Sequence, residues 1–375
     1  MTLSVSSVCQ TPWCQTLCHR VNYGNPYPSE MPRIFFLSLF LDLFLSASAQ
    51  QQECNALGQD AFTPQVLRNS RGVSLTVLPF GGTAQSLLLP HGGAHSKPPL
   101  DVLLGFDEPK FYCTGGPEVQ HPYFGALIGR VANRIAQCQF TLGGESYKTP
   151  CNEFQAATGL NDTLHGGNVG YDRRVWNVTN RTPSSLVLEL DSPDGEMGFP
   201  SSLHLIVTYS ILDPPQGSPA TELGAWDIRY SIKNTGVLPT PVAPTNHAYF
   251  MLSGFEGEET VLKHVLRMVN GTRYEEVDRG LIPTGKLIDV LTDQTWMDFT
   301  KGKPVGENFP LPSGASGYDN AWIFEGNDGS SFVPQADIFS PASLIRMVTY
   351  TDAPSLQVCV FFYSMCLSLL STPLT

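Results

Sequence analysis

Apolar side chains recur mostly every second residue along Gly72 to Val358. Trp226-Asp227-Ile228-Arg229-Tyr230-Ser231-Ile232-Lys233 alternates without a break, the period of a strand with one buried face. Leu203, Leu205, Val207, Tyr209 and Ile211 do the same against His204, Thr208 and Ser210, with Ile206 out of step. Leu186 to Leu190 runs into Asp191-Ser192-Pro193-Asp194-Gly195, whose Asp, Pro and Gly favour a chain reversal. Further strands are predicted at Val175 to Thr179, Val261 to Val269 and Leu344 to Tyr350. Neither long helical periodicity nor an internal repeat of about 20–50 residues is visible. The pattern predicts an all-β fold, a large antiparallel β-sandwich with long loops.

Composition agrees. The 375 residues include 34 Gly and 30 Pro, and only 15% are charged, against roughly 25% in an ordinary soluble domain. With 42% hydrophobic and 10% aromatic residues the chain can bury a sizeable core, which excludes disorder. The 34 acidic and 22 basic side chains give a net charge of −12. No basic patch exists to neutralise phosphates, so a nucleic-acid partner is excluded.

The ends carry their own signals. Residues 31–49 combine Arg33, the apolar run Ile34 to Leu45 and the small residues Ala47-Ser48-Ala49, as a secretory signal peptide does. Residues 1–30 then form an upstream leader outside the fold. Its Cys9, Cys14, Cys18 and His19 lack the second ligand pair of a zinc finger. Beyond residue 49 the cysteines are Cys54, Cys113, Cys138, Cys151, Cys359 and Cys366, and their pairing is not readable. Asn161, Asn177, Asn180 and Asn270 each open an N-x-[ST] sequon. These features together predict a secreted, extracellular glycoprotein. Residues 359–375 form an uncharged hydrophobic tail that is too short for a membrane span. It also lacks the polar spacer of a lipid-anchor signal.

Several polar motifs read as ordinary structure. Gly280-Leu281-Ile282-Pro283-Thr284-Gly285-Lys286-Leu287 resembles part of a phosphate loop but lacks the magnesium-holding hydroxyl. His91-Gly92-Gly93-Ala94-His95 has no third ligand nearby, and His204 and His264 read as structural. Three segments stand apart: Gly125-Ala126-Leu127-Ile128-Gly129-Arg130-Val131-Ala132-Asn133-Arg134-Ile135, Asn161-Asp162-Thr163-Leu164-His165-Gly166-Gly167 and Pro244-Thr245-Asn246-His247-Ala248-Tyr249-Phe250. With Leu104-Gly105-Phe106-Asp107, Ser192-Pro193-Asp194-Gly195-Glu196 and Leu281-Ile282-Pro283-Thr284-Gly285 they run in one order. In this the chain resembles the aldose 1-epimerase (galactose mutarotase) family, from about Ala56 to Val358.

The resemblance implies a β-sandwich with a sugar cleft, and an isomerase that interconverts α- and β-aldoses through the open-chain aldehyde without metal or organic cofactor. His247 matches the family's general acid, and an imidazole near its free pKa suits that step. Arg134 and His165 match groups that hydrogen-bond the sugar, Asp319 matches a carboxylate that accepts a hydroxyl proton, and Asn133 orients the first motif. Trp296 and Phe299 are candidates for packing on the sugar's C–H face, with core filling as the alternative. The family's general-base Glu has no counterpart, because no acidic residue follows Asp352. The expectation is therefore a domain, 56–358, lacking its last strands and impaired in catalysis. Losing a base costs about 10²–10⁴ in rate. A non-catalytic extracellular carbohydrate-binding protein is the second reading. A phosphorylated substrate would need an Arg/Lys cluster that is not evident, so neutral galactose or glucose fits better.

Overall fold

The computed structural model describes residues 52–90, 98–116, 123–255, 260–313, 317–324, 332–361 and, for the backbone, 364–370. The leader, the signal segment and the His91–His95 motif lie outside the described residues. Antiparallel sheets dominate, and helical pieces are as short as Phe111–Thr114.

The strand with the clearest alternation anchors one four-stranded sheet. Asn177–Arg181, Ser185–Ser192, Leu203–Leu212 and Ala225–Asn234 pair in chain order. Leu203, Leu205, Val207, Tyr209 and Ile211 all point into the core. Ile206, between Glu189 and Ser231 on the outer face, interrupts the chemical alternation without interrupting the strand. Each fully buried side chain of this size contributes roughly 1.5–3 kcal/mol. They join Leu186, Leu188, Trp226, Phe250 and Trp322 in one core cluster.

Some predicted boundaries move. The strand expected at Val175 begins at Asn177, because Trp176 is buried and Val175 bridges to Phe80. The run Val261 to Val269 opens as a 3-10 turn, Val261–Lys263, and becomes a strand at Val265–Met268. The would-be phosphate loop is a hairpin turn: Asp278 Oδ1 accepts from the N–H groups of Gly280 and Ile282 at 2.7 and 3.0 Å.

A six-stranded sheet carries the part that matters for function. Its order is Tyr249–Phe250, Ser364–Leu370, Ser355–Phe361, Asp319–Ile323, Arg273–Val277 and Pro283–Asp289. Ser355–Phe361 is not an open edge, since Ser364–Leu370 lies between it and Tyr249–Phe250. Its backbone finds partners on both sides, which suits a segment without charge.

Disulfides join Cys54 to Cys113 and Cys138 to Cys151. The four sequon asparagines are all exposed.

Candidate active site

His247 is placed by backbone pairing. Thr245–Asn246 pairs with Leu127–Ile128. Just beyond, the His247 N–H donates to Ala126 O at 2.8 Å, and the Gly125 N–H donates to His247 O at 2.9 Å. Gly125 adopts φ +62°, and a Cβ there would lie 2.0 Å from the Ala84 carbonyl oxygen, so only glycine fits. Asn246 fastens the turn, donating to Gly125 O at 2.7 Å and to the Tyr209 hydroxyl at 3.0 Å. Its Oδ1 accepts the Ala248 N–H at 3.1 Å.

The His247 side chain is fully buried among rings. Centroids lie 5.3 Å away at His165, 5.6 Å at Tyr123 and 5.3 Å at Tyr249. Neither Nδ1 nor Nε2 has a hydrogen-bond partner within the protein. Burial lowers its pKa to about 3, so the resting imidazole is neutral at pH 7. This corrects the expectation of a value near the free one: loss of water dominates, and among the described residues no carboxylate offsets it.

His165 and Asn133 lock one another. Both are non-glycine residues in the left-handed region, at φ +53° and +66°, where strain persists only if the surroundings enforce it. The His165 N–H donates to Asn133 O at 3.1 Å, and the Asn133 N–H donates to His165 Nδ1 at 3.0 Å. An amide N–H can only donate, so Nδ1 is the acceptor and Nε2 carries the proton. That Nε2 has no protein partner. Burial, then the neighbouring His247 and Arg134, hold the His165 pKa well below its usual value. Gly166 lets the chain turn here, at φ +89° with a Cβ position 2.0 Å from Gly129 O.

Arg134 belongs to the same group. Its Nη1 donates to Asn133 Oδ1 at 3.2 Å and its Nη2 to Glu153 Oε1 at 2.7 Å, with both charged side chains almost wholly buried. Arg130, in the same motif, is structural instead. Its Nη1 donates to Pro200 O, Ser201 O and the Thr240 hydroxyl, and its Nη2 to the Ser192 hydroxyl and Pro193 O.

Asp319 arrives through the six-stranded sheet. Tyr249, Cys366, Cys359 and Asp319 are successive Cα partners across four strands, and directly opposite residues share a face. At about 4.8 Å per strand, Asp319 stands on the order of 14 Å from Tyr249. Gln357, two residues before Cys359 and so on the same face, donates from Nε2 to Asp319 Oδ1 at 2.7 Å. Tyr249, Cys359 and Phe124 pack together, and the Tyr249 ring adjoins His247. Phe299 is fully buried against Tyr318 and Trp322. Trp296 stacks on Tyr318, which alternates to the face opposite Asp319. Phe299 therefore belongs to the core, and Trp296 is half-buried against it.

Sequence reading missed Tyr123, Tyr249, Glu153 and Gln357. Tyr249 lies inside the third motif. Tyr123, at φ +58° and edge-on to His165 at 4.7 Å, just precedes the first motif. Burial, then Asp172 and Glu153, push its hydroxyl pKa up, so it stays a phenol. Glu153 and Gln357 meet the site only through cross-strand pairing, for which no local signal exists.

The family model for aldose 1-epimerase matches residues 65–360. The chain is 32% identical to the aldose 1-epimerase of Escherichia coli over 303 residues, 80% of this chain and 77% of that protein. A probable aldose 1-epimerase of Arthroderma benhamiae is 32% identical over 307 residues, 77% of this chain and 67% of that one. The galactose mutarotase of Sus scrofa is 33% identical over 258 residues, 68% of this chain and 66% of that one. An aldose epimerase homologue of C. elegans superposes with TM-score 0.65 at 23% identity, over 83% of this chain and 90% of that one. Galactose 1-epimerase of Lactobacillus acidophilus does so with TM-score 0.62 at 22% identity, over 83% and 86%. These two likenesses show a shared fold.

Proposed function

The chain belongs to the aldose 1-epimerase family of isomerases, and we propose that it interconverts the α- and β-anomers of an uncharged hexose such as galactose or glucose. One observation carries the reading. His247 and His165 are buried side by side, and three of their four ring nitrogens have no partner in the protein. Leaving such groups unpaired is costly, and a molecule rich in hydroxyls would satisfy them together.

The chemistry follows from a neutral His247. Its lone pair takes the proton of the anomeric hydroxyl while the C1–O1 bond becomes a carbonyl. The C1–O5 bond breaks, its electron pair goes to O5, and the imidazolium hands a proton to that oxygen. Rotation about C1–C2 and the reverse steps give the other anomer. The His165 Nε2–H and Arg134 donate to sugar oxygens, and Asp319, oriented by Gln357, accepts from a hydroxyl.

Polarimetry of freshly dissolved α-glucose and α-galactose tests this. The protein should speed equilibration, and His247→Ala should lower the catalysed rate by about 10²–10⁴. Unchanged catalysis in that variant would end the assignment. A second reading, a carbohydrate-binding protein without turnover, draws on the neutral resting state of His247, which has no surplus proton to give. It predicts saturable sugar binding with no acceleration over buffer.

A further inference from the structure

Glu153 sits on the strand Glu153–Gln155, which pairs with Leu160–Leu164. That strand leads into His165 and pairs on its other side with Arg134–Ile135. Glu153 is opposite Asp162 and Arg134 is opposite Leu164. Asp162 and Leu164 are two residues apart, so Arg134 and Glu153 share one face of this three-stranded sheet. Two fastenings keep Glu153 there. The Asn152 side chain donates to Leu164 O at 3.0 Å and accepts the Leu164 N–H at 2.7 Å, and Cys151 is bonded to Cys138.

A purely structural ion pair would leave the carboxylate satisfied. Here Oε1 accepts from Arg134, but Oε2 is buried and has no partner within the protein. The same holds for Arg134 Nε, His165 Nε2 and both nitrogens of His247. These orphaned atoms lie on residues in continuous contact. Arg134 bonds Asn133, Asn133 bonds His165, and His165 packs on His247. Glu153 Oε2 and the bare nitrogen of the neutral His247 are acceptors and the other orphaned atoms are N–H donors, so the group matches a ligand that offers hydroxyl hydrogens at two points and oxygen lone pairs at the others.

We propose that Glu153 is a specificity-determining residue of this site, whose Oε2 accepts a hydrogen bond from one particular hydroxyl of the bound hexose while Oε1 holds Arg134. The ligand class is an uncharged sugar, because the Arg134 charge already has its counter-ion. The inference rests on the mutarotase reading only for the identity of the ligand as a hexose.

The test is calorimetric binding of galactose and its 1-, 2-, 3-, 4- and 6-deoxy forms to the wild-type chain and to Glu153→Gln, with folding checked by thermal melting. Glu153→Gln should weaken galactose at least tenfold. It should leave unchanged the affinity for the single deoxy sugar that lacks the recognised hydroxyl. A uniform loss across the series would mean that Glu153 only shapes the site, and a loss under twofold would mean that it does not meet the sugar; either overturns the proposal. Should Glu153→Gln fail to fold, Glu153→Asp, which keeps the charge and retracts the oxygen, must show the same selective pattern, and a uniform loss there counts equally against it. Wild-type binding without faster anomer exchange would sink the mutarotase reading and leave Glu153 standing; no wild-type binding of any of these sugars would sink both.

Discussion

His247, His165 and His264 are all withheld from water, and that fixes their charge more firmly than any partner does. Burial lowers His247 to about 3 and His264 to about 4, against about 6.5 in an unfolded chain. Between those values the unfolded chain binds protons that the folded chain refuses, so stability present above pH 6.5 is lost as pH falls. Asp172 works the other way, since burial raises its carboxyl to about 7. The effect is therefore best read from single variants. His264, packed away from the candidate site with only Val261 O near its Nδ1 at 3.2 Å, is the clean choice. Relative to wild type, His264→Gln should gain stability as pH drops from 7 to 5, by roughly 2 kcal/mol at about 1.4 kcal/mol for each tenfold difference in proton affinity. Urea unfolding at each pH measures it, and a pH-independent difference would contradict it. Likewise, kcat/KM should show no His247 inflection near 6.5, since the free protein's pKa sets that limb. At this scale the sequence singled out His247, His165, Asn133, Arg134 and Asp319 as candidates, and the first four are in mutual contact while Asp319 lies on another strand beside Gln357. It hid the charge state of His247, which depends on burial, and it hid Glu153, an ordinary-looking residue in a short strand.

Strands were legible in proportion to their one-sided burial. Leu203–Leu212 and Ala225–Asn234 have a wet face and a dry face, so their alternation is plain. Arg134–Ile135, Thr245–Asn246 and Tyr249–Phe250 have two residues each, too few for any period to appear, yet these short pieces hold the site. The uncharged run near Ser364–Leu370 lacked alternation and looked like a divergent tail, although it pairs on both edges. The Cys138–Cys151 bridge follows the same logic, because the two segments that carry Arg134 and Glu153 are too short to fix their own register. It closes 13 residues of sequence, and a loop of that length is worth about 3 kcal/mol in the chain-entropy account. Replacing both cysteines with alanine should lower the unfolding free energy by about that amount. It should also raise KM more than it lowers kcat, because the Arg134–Glu153 pair loosens while His247 is held by other strands. Denaturant titration and polarimetric kinetics read the two effects, and an unchanged KM would show that the bridge serves stability alone.

For the whole molecule, fold class was the most legible feature, since the turn-rich, charge-poor composition and the period of two both pointed to antiparallel sheets. Where the protein works is a matter of its surface and its cysteines. Four of the six cysteines beyond residue 49 form disulfides, which persist in oxidising compartments and are rare in reducing ones. All four sequon asparagines are exposed, as an acceptor must be. We propose on these grounds that the chain is an extracellular glycoprotein. Asn161 makes the proposal specific. Its Cα partner is Phe154, the neighbour of Glu153, and the exposed Phe154 side chain stands beside it. Asn161 and Phe154 are each one residue from the Asp162–Glu153 pair, so a glycan on Asn161 would rise from the face of this sheet opposite Glu153 and Arg134. Expressed in a eukaryotic secretory host, the protein should appear in the medium with Cys54–Cys113 and Cys138–Cys151 oxidised and with Asn161 modified, as peptide mass spectrometry will register. Enzymatic removal of the glycans should then leave both galactose binding and the catalysed anomer exchange unchanged. Retention of the chain inside the cell with all four thiols reduced would refute the compartment, and a bare Asn161 on secreted material would refute the glycan.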